Sequence, residues 1–84
     1  MISIEWSNKA RKQFRKLPKD VQGRVLAFVD SLKENPVPSG IKKMKGYDGI
    51  YRKRLGEYRV VWEFIENRLV VLVLKVGPRQ GIYK

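Results

Sequence analysis

The chain contains no cysteine and no histidine. Disulfides are therefore excluded, the common nitrogen and sulfur metal sites have no ligands, and stability has to come from packing. Neither a metal nor a cofactor is expected. Acidic residues are scarce as well, 8 Asp and Glu against 19 Lys and Arg, which leaves a formal net charge of +11 on 84 residues. Such a field on so small a body attracts polyanions, and nucleic acid is the partner class it points to; the bland alternative is a basic surface that serves solubility. Long hydrophobic runs are also missing. Residues 69–74 form a short apolar run, far below the ~20 residues of a membrane span. The opening residues 1–6 are too short and too polar for a signal peptide. A cytoplasmic protein with no membrane partner is expected.

What is present suffices for one domain over residues 1–84. A chain of this size buries roughly 60–65% of its unfolded surface on folding, so the core has to be compact. Ile2-Ser3-Ile4-Glu5-Trp6 alternates apolar and polar residues and predicts a short strand. Ser7 offers a helix cap. Ala10, Phe14 and Leu17 then recur at helical spacing, with Lys9, Arg11, Lys12, Arg15 and Lys16 on the other faces. That basic face is either solvated or laid against phosphate. Leu17-Pro18 breaks the helix, because proline disfavours the α region in the residue before it. A second helix carries the stripe Val21, Val25, Phe28, Val29 and Leu32, and Asn35-Pro36 ends it. Gly23 sits unexplained in its interior. Residues 36–49 form a basic, glycine-punctuated loop.

The second half is organised around Tyr51-Arg52-Lys53-Arg54-Leu55-Gly56-Glu57-Tyr58-Arg59-Val60-Val61-Trp62. Two strand-forming runs flank Gly56-Glu57, the composition of a two-residue type II′ hairpin. With so tight a turn Leu55 faces Tyr58, Arg54 faces Arg59, Lys53 faces Val60 and Arg52 faces Val61. One face then holds Tyr51, Lys53, Leu55, Tyr58, Val60, Trp62 and Phe64; the other holds Arg52, Arg54, Arg59, Val61 and Glu63. Like charges directly opposite in a sheet cost roughly 0.2–1 kcal/mol, so Arg54 against Arg59 is a pairing that stability alone disfavours. Either an anion binds there or the arginines splay into water. After the turn Glu66-Asn67-Arg68, residues 69–74 predict a fully buried central strand. Two helices on an antiparallel sheet, in the order β-α-α-β-β-β, make an α+β fold. The last strand runs back toward Gly56, which brings Arg79 to the arginine cluster and lets Tyr83 reach it.

The chain resembles the RelE/ParE toxin superfamily, most closely its RelE-like mRNA interferase branch from type II toxin–antitoxin systems. The features that carry the resemblance span nearly the whole chain. They are the Leu17-Pro18 junction, Lys42-Lys43-Met44-Lys45-Gly46, the hairpin from Tyr51 to Val61, and Val76-Gly77-Pro78-Arg79-Gln80-Gly81-Ile82-Tyr83. The resemblance implies a microbial-ribonuclease-like fold, a cognate RelB-like antitoxin, and cleavage of mRNA in the ribosomal A site. It also implies the site residues. Two positions that are lysines in the best-known members fall on Arg52 and Arg54; the family's next arginines fall on Arg59 and Arg79, and its tyrosine on Tyr83. Lys9, Lys12, Arg15, Lys16, Lys42, Lys43 and Lys45 would grip ribosomal RNA through phosphates.

The arginines change the chemistry. Cleavage of RNA by its own 2′-OH needs a base for that proton, charge stabilisation on the phosphate, and an acid for the leaving 5′ oxygen. A guanidinium grips phosphate in bidentate fashion, but it has almost no neutral form to accept a proton. Tyr83 is the expected titrating group, since nearby cations favour a phenolate; the alternative is a frayed terminal residue. Glu63 is a second candidate base, or the partner of Arg52 in a cross-strand salt bridge. Lys53 falls on the core face and stays outside the site. The alternatives to an endoribonuclease are a ParE-like inhibitor of DNA gyrase and a non-catalytic RNA-binding module stacking bases on Trp6 and Trp62, although both tryptophans sit in strand patterns that suggest core.

Overall fold

A computed structural model describes residues 1–38, 42–43 and 49–78, with backbone alone at 42–43. Strand β1 (Ser3–Trp6) leads into helices α1 (Asn8–Arg15) and α2 (Lys19–Ser31). The short β2 (Lys42–Lys43) precedes the hairpin of β3 (Ile50–Leu55) and β4 (Tyr58–Ile65), and a 3-10 turn (Glu66–Arg68) leads to β5 (Val70–Pro78). The sheet order is β1-β5-β4-β3-β2. The expected α+β order is present, with two refinements. Lys42 and Lys43 add an edge strand within what was expected to be loop, and β1 joins β5 in parallel, so the sheet is mixed rather than wholly antiparallel.

The local chemistry accounts for the helical hairpin. Ser7 caps α1 by accepting from the Ala10 N–H at 3.0 Å. Pro18 ends that helix and caps the next with φ −56° and ψ 150°. Gln22 closes the junction, its Nε2 donating to the carbonyls of Phe14 at 3.0 Å and Leu17 at 3.2 Å at the end of α1. Ala10, Leu17, Val21, Val25, Val29 and Leu32 then bury against Val60, Trp62, Val71, Val73 and Val76 of the sheet. Trp6 and Trp62 belong to this packing. Trp6 meets Phe14 edge-on, and Trp62 is fully buried against Phe28 and Tyr51 with its Nε1 donating to the Pro36 carbonyl at 2.9 Å. Neither serves as an open stacking platform.

Gly23 is exposed within α2, and a Cβ built there meets nothing within 4 Å. Gly23→Ala is expected to stabilise the fold by about 0.4–1 kcal/mol, because alanine restricts the unfolded chain and fits the helix. A urea midpoint unchanged or lowered by the substitution would contradict this.

The last strand departs from a simple buried run. Leu69 lies outside β5 and adopts a left-handed φ of 53°, which closes the 3-10 turn and leaves its side chain exposed. Along β5, Val73 pairs with Trp62 but Lys75 pairs with Val61, so Leu74 is an extra residue in a β-bulge. The backbone groups freed by the bulge are taken up by α1 and its cap. Ser7 Oγ donates to the Leu74 carbonyl at 3.0 Å, and the Val76 N–H donates to Gln13 Oε1 at 3.0 Å. Core packing therefore continues at Val76 instead of Lys75.

Candidate nucleic-acid interface

The hairpin has the expected register at every position, from Leu55 opposite Tyr58, through Arg54 opposite Arg59 and Lys53 opposite Val60, to Arg52 opposite Val61. Its turn accounts for this. Gly56 has φ 61° and Glu57 does not share the positive φ, which is the type II′ pattern. Because side chains alternate along a strand, Val60 and Trp62 enter the core under the helices while Arg52, Arg54 and Arg59 stand on the opposite face. Lys53 is half-buried beside Val60 on the helix side, outside the arginine group.

Two rows cross that opposite face. Nearer the turn, Arg54 stands opposite Arg59, and Arg59 opposite Gly77. One step further, the row runs from Arg52 through Val61 to Lys75. Arg54 is exposed and folds back so that its Nε donates to the Gly56 carbonyl at 3.0 Å, which ties the guanidinium to the turn. Arg52 and Arg59 are half-buried, and the Nε of Arg59 is closed off from solvent. Val61 is only 5% exposed although neither α1 nor α2 covers its face. A layer of long cationic side chains over an apolar floor differs from arginines splayed into water.

Lys75 belongs to this face and is absent from the sequence-based site. In an unbroken strand it would share parity with Val71 and Val73 and point at the helices; the bulge at Leu74 turns it over. A lysine at a core-parity position inside an apolar strand was the signal that could have found it. Glu63 also lies on this face, opposite Ile50 and Leu72. Its expected salt bridge with Arg52 does not occur: the ion pairs among the described residues are Arg24–Asp20 and Lys33–Asp30.

The course of the last strand is as expected, with Pro78 opposite Tyr58 beside the hairpin turn. Arg79 and Tyr83 lie outside the described residues, as does Lys45. Lys9, Lys12, Arg15 and Lys16 are all exposed on α1, but α1 packs on the helix side of the sheet, so they do not join the arginine face. Lys16 comes nearest to its end. With Gln13, Leu17, Pro18, Tyr58, Val76, Gly77 and Pro78 it lines an open cavity of about 300 Å³ where β5 terminates. Lys43 pairs with Tyr51 and Lys42 with Arg52, which sets β2 at the outer edge of the hairpin.

A helical hairpin on a small sheet whose other face is cationic defines a basic α+β protein. Residues 4–83 match the family described as the ParE toxin of type II toxin–antitoxin systems, and the chain belongs to that family. Similar proteins carry the name RelE. The putative toxin RelE1 of Methanocaldococcus jannaschii is 29% identical over 86 residues, covering 99% of this chain and 96% of that one. The mRNA interferase toxin RelE of Escherichia coli is 28% identical over 79 residues, covering 92% and 82%. The crystal structure of the archaeal RelE–RelB complex from Pyrococcus horikoshii superimposes with a TM-score of 0.81 at 32% identity, covering 93% of this chain and 94% of its match.

Proposed function

We propose that this family member is a ribosome-dependent endoribonuclease that cuts mRNA in the A site and is held inactive by a RelB-like antitoxin. The observation that carries the proposal is the register of Arg54 against Arg59 beside Gly77, a like-charge cross-strand pairing that stability alone disfavours. The likeness to a protein named mRNA interferase, and to a RelE solved with RelB, supports the same reading.

In this mechanism Arg54, Arg59 and Arg79 hold the scissile phosphate and neutralise the charge that grows on it in the transition state. Arg52 places the RNA. The 2′ oxygen attacks the adjacent phosphorus, and Tyr83 as phenolate takes its proton. The charge that a metal ion would otherwise supply comes from guanidinium groups, so the reaction is metal-independent. Lys9, Lys12, Arg15, Lys16, Lys42, Lys43 and Lys45 bind ribosomal RNA through phosphates, a contact that weakens steeply with salt. The ribosome then does much of the substrate positioning, and a cytoplasmic site of action follows.

Primer extension on mRNA from a reconstituted translation reaction tests this. Discrete cuts within the A-site codon that require ribosomes, and that weaken in Tyr83→Phe, are expected. Vigorous metal-free cleavage of naked RNA at physiological salt would contradict the ribosome's role. Intact mRNA together with DNA breaks on expression would make the chain a gyrase inhibitor instead.

A further inference from the structure

The ribonuclease reading leaves one chemical role unfilled, the acid that protonates the leaving 5′ oxygen. We propose that Lys75 is that acid; the assignment rests on the endoribonuclease reading and adds a catalytic residue to it. Lys75 reaches the arginine face only because of the bulge at Leu74, and that bulge is built into the fold. The Leu74 carbonyl is held by Ser7 and the Val76 N–H by Gln13, on either side of Lys75. The same two residues anchor the start and middle of α1, so the helix and the position of Lys75 are set together.

The placement fits the task. Lys75 and Arg52 flank Val61 in one register row, two strand spacings or about 9.6 Å apart at the backbone. That gap admits a phosphodiester over the apolar floor of Val61. Toward the turn, Arg59 is flanked by Gly77, which has no side chain and where a Cβ would meet nothing within 4 Å among the described residues. Lys75 is half-buried, yet it enters no ion pair among the described residues. A lysine withdrawn from water in this way, beside a group of cations, calls for an anionic ligand.

Charge type separates Lys75 from its neighbours. Arg52, Arg54 and Arg59 hold their protons too tightly to release one to an alkoxide, whereas an ammonium can. In the step the O2′–phosphorus bond forms and the phosphorus–O5′ bond breaks. The 2′-OH proton goes to Tyr83, and a proton of the Lys75 ammonium goes to O5′. A 2′,3′-cyclic phosphate and a free 5′-OH result, and the Lys75 amine recovers its proton from water.

The test is single-turnover cleavage on programmed ribosomes of two mRNAs, one with the natural 5′ oxygen and one with sulfur at the scissile 5′ position. A thiolate leaves without a proton, its conjugate acid having a pKa of about 8.5. Lys75→Met is expected to slow cleavage of the oxygen substrate by about 10²–10³-fold and of the sulfur substrate by less than tenfold. Lys75→Arg, which keeps the charge but not the transferable proton, is expected to show the same pattern. Equal losses on both substrates would overturn the assignment in favour of a binding or structural role, and full activity in Lys75→Arg would reduce Lys75 to a point charge. Wild-type rates in Lys75→Met would overturn the inference while leaving the ribonuclease reading intact. Failure of the wild-type protein to cut the oxygen substrate would overturn the reading on which the inference rests.

Discussion

Arg59→Ala is expected to lower single-turnover mRNA cleavage on the ribosome by about 10²–10³-fold, the usual cost of removing one fixed donor from a transition-state anion site. Arg59 is the member of the arginine group that the fold constrains most. It lies in the middle of three paired strands, between Arg54 and Gly77, with its Nε closed off from solvent. Substrate therefore meets a guanidinium already oriented, and little ordering entropy remains to be lost on binding. The change relieves a like-charge cross-strand contact worth roughly 0.2–1 kcal/mol but also removes the contacts of a half-buried side chain, so stability is read separately from activity. Urea unfolding alongside the cleavage assay separates the two effects. A variant that is stable and cuts at the wild-type rate would remove Arg59 from the site. Arg59→Lys should restore only part of the activity, because a point charge cannot match the bidentate grip.

The largest effect on stability is expected from Trp62→Ala, a loss of about 3–5 kcal/mol measured by urea denaturation. Trp62 is fully buried where β3, β4 and α2 meet. Its ring centroid lies 5.4 Å from that of Phe28 and 6.1 Å from that of Tyr51. The substitution opens a cavity among these rings and also strips the Pro36 carbonyl of its donor, so the chain segment leaving α2 loses an anchor. Domains are stable by only about 5–15 kcal/mol, and one this small sits at the low end, so the variant should be partly unfolded without denaturant. Trp62→Phe keeps most of the volume and should cost less. A midpoint for Trp62→Ala close to wild type would mean that the core relaxes around the gap.

What could be foreseen from the residues was what local rules determine. Gly56-Glu57 defines a two-residue turn, the turn defines the register, and the register places Arg54 against Arg59 before any coordinates exist. The helix stripes and the Leu17-Pro18 break are local in the same sense. Features that depend on partners far along the chain were not foreseen. Nothing in Ile2-Ser3-Ile4-Glu5-Trp6 says that its neighbour is β5 or that the two run parallel. The bulge at Leu74 arises where β1 ends and α1 takes over beside β5, so the parity of Lys75 depends on Ser7 and Gln13, 67 and 63 residues away from the backbone groups they hold. The run at residues 69–74 looked uniformly buried because composition cannot distinguish Leu69, which closes a turn, from Val71 and Val73, which fill the core.

The pairing of β1 with β5 has a consequence for how the protein is made. Ser3 and Ser7 donate their backbone N–H groups to Leu69 and Val73, so the first strand has no seat in the sheet until the last one has been synthesised. Contacts of such long sequence separation form late and fold slowly, because nearly the whole chain must be closed into a loop before they repay its entropy. During translation, then, the bulge that turns Lys75 outward and the strand that sets Gly77 beside Arg59 cannot form until β5 has left the tunnel. The cationic face is thus completed only after β5 has been made, although the hairpin that carries its arginines precedes β5 in the chain.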